Sequence, residues 1–126
     1  MTTPRRVLIV DDDELDRMLL AEAIKSCEPA TIVAHAVNGD EALIAVRSFD
    51  PTVIVLDINM PGMDGFEVLG RLKSDPATKQ IPVTMFSSSS QKSDIDRSVA
   101  LEASGYINKP GNLSEYRSVA LKVIGF

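Results

Sequence analysis

The chain has 126 residues, 44% hydrophobic and 25% charged, which is enough for one well-packed domain and too little for two. Thirteen basic residues against eighteen acidic ones leave a net charge of −5 with no basic stripe, which argues against direct nucleic-acid binding. No apolar run approaches the roughly 18 residues that span a bilayer, and Cys27, the only cysteine, has no partner for an internal disulfide.

The first ten residues hold two arginines and an apolar stretch of only Val7 to Val10, too short for a signal peptide, so a reducing cytoplasm is expected. "RVLIV" (6–10) reads as a strand, and Leu15, Met18, Leu19 and Ala23 then recur at helical spacing. "TIVAHA" (31–36) is a second strand carrying His35, a structural residue rather than a ligand. Asn38 with Glu41 marks the start of a helix whose stripe is Ala42, Ala45, Val46 and Phe49. "TVIVL" (52–56) is a third strand, and Asp64 with Glu67 opens a helix that Asp75-Pro76 ends. "VTMF" (83–86) is a fourth strand. Residues 91–103 follow as a weaker helix, in which Ile95 and Val99 fit the stripe while Ser98 and Glu102 interrupt it. "GYIN" (105–108) is a fifth strand, and Asn112 with Glu115 starts a last helix lined by Leu113, Tyr116, Ala120 and Val123. The first and third strands are apolar throughout, as in a parallel sheet covered on both faces. Alternating strands and helices predict an α/β fold with right-handed crossovers, its functional residues at the carboxyl ends of the strands.

Those ends carry chemistry. Asp11 and Asp12 follow the first strand, Asp57 the third, Ser87 the fourth, and Asn108-Lys109-Pro110 the fifth. On one rim, three carboxylates would repel: two unit charges about 4 Å apart cost roughly 1 kcal/mol in water and about 4 at an effective dielectric of 20. Lys109 offsets only one of them. A divalent cation is the natural remedy, and an all-oxygen donor set favours Mg²⁺ over Zn²⁺. A carboxylate beside Mg²⁺, an ammonium and a hydroxyl suits phosphoryl transfer.

"LIVDDDELDR" (8–17), "VLDINMPGMDG" (55–65), "IPVTMFSSSS" (81–90) and "GYINKP" (105–110) together resemble the receiver domain of bacterial two-component response regulators, over essentially the whole chain. The resemblance implies a flavodoxin-like (βα)5 fold with strand order 2-1-3-4-5. It implies that Asp57 accepts a phosphoryl group from a histidine kinase or histidine phosphotransfer protein, and that Asp11, Asp12, Asp57 and the Asn59 backbone carbonyl hold Mg²⁺. Lys109 and Ser87 would contact the phosphoryl group, Tyr106 would answer Ser87 as a switch, and Asn59 and Ser89 would affect the phosphoryl lifetime. Gly62 and Gly65 suit a tight turn after Asp57. Gly111 departs from the family, where a larger apolar residue is usual.

The expectation is a single receiver domain over 1–126 with no output domain: a standalone switch, not an enzyme beyond its own phosphorylation and dephosphorylation. Its output would pass to a target protein through the face of the fourth helix, fifth strand and fifth helix, with self-association also open. The alternative is a degenerate receiver that works by protein contact without phosphate. An aspartyl-phosphate hydrolase would usually carry Asp where Asn59 stands, and a flavodoxin-like small-molecule binder would need a phosphate-cradling loop where "DDDE" (11–14) stands.

Overall fold

In the computed structural model, which describes residues 3–125, five strands and five helices alternate. They are β1 (Arg6–Val10), α1 (Glu14–Cys27), β2 (Ile32–Ala36), α2 (Gly39–Phe49), β3 (Val53–Leu56), α3 (Gly65–Ser74), β4 (Val83–Ser87), α4 (Lys92–Ala100), β5 (Gly105–Asn108) and α5 (Tyr116–Val123). All four strand pairings are parallel, in the order β2-β1-β3-β4-β5. This is the flavodoxin-like arrangement expected. Phe126, where the sequence ends, lies outside the described residues, as do Met1 and Thr2. Among the described residues no helix is long and apolar enough to cross a membrane.

Strand alternation sorts the core into two layers. Leu8, Val10, Ile54, Leu56, Val83 and Met85 pack with Phe66, Val68, Leu69 and Leu72 of α3 and with Ala42 and Val46 of α2. Val7, Ile9, Val53, Val55 and Phe86 pack on the other face with Leu20 and Ile24 of α1 and Tyr116, Val119, Ala120 and Val123 of α5. β1 and β3, buried on both faces, are apolar for that reason.

Three helix starts are held by side chains. Asp13 accepts from the Asp16 N–H at 3.1 Å, Asn38 from Glu41 at 2.8 Å, and Asp64 from Glu67 at 2.9 Å. Asp75 ends α3 in extended conformation before Pro76. Met60 and Met63, in the loop after β3, pack into the core.

Three stripes differ from the sequence reading. On α1, Leu15 and Met18 are 62% and 55% exposed, while Leu20 and Ile24 are fully buried, so the core face is rotated from the one predicted. On α4, Ser98 is the buried residue and Val99 is 68% exposed. Ser98 tolerates burial because its hydroxyl donates to the Asp94 carbonyl at 2.8 Å. Leu113 is exposed, because Asn112 caps a single 3-10 turn (Leu113–Glu115) and the packed stripe begins at Tyr116.

Candidate functional site

The last bonds of the sheet aim the site. Asp11 N–H donates to the Ala36 carbonyl at 3.0 Å, Asp57 N–H to Val10 at 2.9 Å and Lys109 N–H to Ser87 at 2.8 Å. Each candidate site residue one step past a strand is thus still pinned by the neighbouring strand, with its side chain over the rim. The loop after β3 is held as tightly. Gly65 N–H donates to Ile58 at 2.8 Å, and a Cβ on Gly65 would lie 2.1 Å from the Asp57 carbonyl oxygen, so only glycine fits. Gly62 takes a left-handed φ of 75°, as the tight turn requires.

The structure brings Asp11, Asp12 and Asp57 together: one carboxylate oxygen from each lies within 4.8 Å of the others. Asp11 and Asp57 are buried and Asp12 is exposed. Asp11 Oδ1 accepts from the Asp13 N–H at 2.9 Å, and Arg17 donates to the Asp11 carbonyl at 2.7 Å, which fixes the start of the loop. Burial pushes the Asp57 carboxyl up to about 7. Asp11 and Asp12 push it the same way, while Lys109 and the Asn59 backbone N–H oppose the rise. Three hard oxygen donors at high negative potential, one on the solvent side, fit a divalent cation such as Mg²⁺ that keeps part of its water shell.

Lys109 is largely buried. Its Nζ lies 2.8 Å from Asp11 Oδ2, 2.8 Å from Asp16 Oδ2 and 3.7 Å from Asp57 Oδ2. Burial alone would lower its pKa, but the hydrogen bonds to Asp11 and Asp16 outweigh that and hold it above the ordinary lysine range. Asp16 is the residue that the sequence reading missed. It lies 93 positions from Lys109, and its only local signal is its place in the first turn of the helix that follows Asp11 and Asp12.

Ser87 is fully buried, and its Oγ accepts from the Ser89 N–H at 3.1 Å. The Ser89 carbonyl in turn accepts from the Tyr106 hydroxyl at 2.7 Å and from Asn108 at 2.8 Å, while the Ser89 hydroxyl donates to Asp94 at 2.6 Å. A continuous path of hydrogen bonds therefore joins the rim hydroxyl to β5 and to α4. Asn59 is exposed beside Asp57. His35 lies on edge strand β2, where burial and then Arg17 lower its pKa, and it takes no part in the cluster.

Comparison with known proteins identifies the family. The chain is 35% identical over 121 residues to a protein-glutamate methylesterase/protein-glutamine glutaminase of Methanococcoides burtonii, a match covering 94% of this chain and 34% of that protein. It spans less than half the length of the curated relatives it matches. Among solved structures, the phosphorylated cyanobacterial phytochrome response regulator RcpA superposes with a TM-score of 0.88 at 31% identity, covering 98% of this chain and 96% of that one. The Mn²⁺-bound form of response regulator Rcp1 gives 0.86 at 28% identity, covering 98% and 94%. The model of the response regulator receiver domain matches residues 7–120, so the chain belongs to that family, the aspartate-phosphorylated module of two-component signalling.

Proposed function

We propose that Asp57 is the phosphoacceptor of this receiver and that the chain works as a phosphorylation switch. The observation that carries this reading is the buried Asp57 carboxylate, clustered with Asp11 and Asp12 and flanked by the Lys109 ammonium. A carboxylate oxygen of Asp57 would attack phosphorus, and the bond to the donor's imidazole nitrogen or acyl oxygen would break as the new P–O bond forms. Asp11, Asp12, Asp57 and the Asn59 carbonyl would hold Mg²⁺, which when bound neutralises charge on the transferring group. Lys109 would donate to the phosphoryl oxygens. Ser87, whose hydroxyl proton has no partner among the described hydrogen bonds, would donate to them as well.

The donors would be a histidine kinase or a histidine phosphotransfer protein, as for receivers generally, and the cell compartment would be the cytoplasm. Phosphorylation adds negative charge and strong acceptors at the rim. Drawing Ser87 towards them strains its bond from Ser89 and so the Ser89 carbonyl that anchors Tyr106 and Asn108. The output would then appear on the face of α4, β5 and α5. A shallow depression of ≈ 370 Å³ on the β5 and α5 part of that face fits this reading: its lining includes Tyr106, Asn108, Pro110, Ser118 and Lys122. A target protein or a second copy of the chain would read it.

Incubation with acetyl phosphate, with and without Mg²⁺, followed by intact mass measurement tests the reading. A Mg²⁺-dependent gain of one phosphoryl group, absent in Asp57→Asn, is expected. No gain under any condition would make the chain a degenerate receiver that signals by contact alone.

A further inference from the structure

Asp16 has no place in the chemistry described above, yet it holds the Lys109 ammonium. Its Oδ2 lies as close to Lys109 Nζ as Asp11 does, at 2.8 Å, and closer than Asp57 at 3.7 Å. An ammonium has three N–H donors. Two are directed at Asp11 and Asp16, and Asp57 lies beyond hydrogen-bond distance.

We propose that Asp16 is a positioning residue that holds Lys109 away from Asp57 in the resting state and thereby opposes phosphoryl capture. This role rests on the phosphoacceptor reading of Asp57. For Lys109 to close on phosphoryl oxygens, one carboxylate must loosen. Asp11 is the harder to release: its side chain is 2% exposed, and breaking the pair would strand a desolvated charge. Asp16, with its side chain 25% exposed, can pass its charge to water. The Asp16 contact is therefore the one that opens. Its charge also repels an incoming dianionic phosphodonor, so competition and repulsion act in the same direction.

Towards a cation the sign reverses. Asp16 offsets the Lys109 charge beside Asp11 and Asp57 and so favours Mg²⁺ there. Removing its charge should weaken Mg²⁺ binding and, once Mg²⁺ saturates, speed phosphoryl capture. A purely structural loss would impair both.

The test uses the full chain, with calorimetric Mg²⁺ titration and the rate of mass gain from acetyl phosphate at saturating Mg²⁺. Asp16→Asn should bind Mg²⁺ several-fold more weakly yet gain the phosphoryl group roughly threefold to tenfold faster, the effect of one charge a few ångströms away at a half-solvated rim. Asp16→Glu should return both quantities to near wild type. Asp16→Ala, favourable within a helix, supplies the same comparison should Asn disturb the first turn. Glu14→Gln removes an equal charge at an exposed neighbouring position and should change neither quantity. Capture by Asp16→Asn and Asp16→Ala no faster than wild type, or equal acceleration by Glu14→Gln, overturns this role and leaves Asp57 as the acceptor. A wild-type chain that gains no mass overturns both.

Discussion

Asp57 shows what a strand end does to a carboxylate. With its carboxyl raised to about 7 from an ordinary 3.8, the folded chain keeps a proton that the unfolded chain has released at intermediate pH. The stabilisation this gives is complete below about pH 4 and is lost as pH rises through about 7. Metal-free wild type should therefore lose stability across that window relative to Asp57→Asn, which has no such proton to shed. The expected result is a higher Tm for Asp57→Asn than for wild type at pH 8, by several degrees, and near equality at pH 4 in thermal melts with chelator. Equal melting temperatures at pH 8 would mean that solvent already relieves the crowding of Asp11, Asp12 and Asp57. Ser87 permits a second test at this scale. Ser87→Ala removes the acceptor of the Ser89 N–H while leaving Asp57, Lys109 and the acidic cluster in place. Phosphorylation should persist in this variant, and chemical-shift changes at Tyr106 on phosphorylation should largely vanish. Unaltered Tyr106 shifts would show that the signal leaves the rim by another path.

Between residue and fold, the loops and helix starts decide whether the rim is assembled. Gly65 begins α3 with its Cα against the chain that carries Asp57, and a methyl there would meet the Asp57 carbonyl, the Ile58 Cα and the Asp57 carbonyl carbon at 2.1, 2.7 and 2.9 Å. These are backbone atoms with no rotamer to move. Gly65→Ala should cost about 3 kcal/mol or more, lowering Tm by roughly 10 °C, and should slow phosphorylation of the fraction that stays folded. Gly70→Ala, in the middle of the same helix with nothing within 4 Å of its Cβ, should stabilise slightly, by roughly 0.5–1 kcal/mol. Opposite signs for two glycines on one helix, read by thermal melts, check the close approach directly. At this scale the sequence was only partly legible. The caps at Asn38, Asp64 and Asn112 could be read because a cap is a local hydrogen bond across three residues. The buried faces of α1 and α4 could not, because tertiary contact selects among overlapping apolar stripes. On α1, Leu15 and Met18 lost to Leu20 and Ile24, and on α4, Ser98 displaced Val99 by bonding its own helix.

Over the whole molecule, the rim exists because parallel strands end together. Alternation of short apolar strands with helical stripes made that much legible, since the residues after four of the five strands are the ones that the sheet gathers. Contacts across distant segments were not legible: the Lys109–Asp16 pair depends on how α1 lies against the loop after β5, and no spacing encodes it. The gathered charge makes folding and cation binding one equilibrium. Anything bound only by the folded chain stabilises it by RT ln(1 + [L]/Kd), about 2.7 kcal/mol at a hundredfold excess. With Mg²⁺ held as proposed, it and a proton would compete for the Asp57 carboxylate, so below about pH 7 each bound cation would first have to displace that proton. The rise in Tm on adding a fixed, near-saturating concentration of Mg²⁺ should therefore be several degrees at pH 8 and much smaller at pH 5.5. Its slope with the logarithm of Mg²⁺ concentration should flatten as the apparent Kd climbs. In Asp57→Asn, the pH dependence between these two values should nearly disappear, because Asp11 and Asp12 remain but the competing proton is gone. Melting curves over a Mg²⁺ series at both pH values decide the matter. An equal rise in wild type at pH 5.5 and pH 8 would mean that Asp11 and Asp12 bind the ion without Asp57, separating the cation site from the carboxylate proposed as phosphoacceptor.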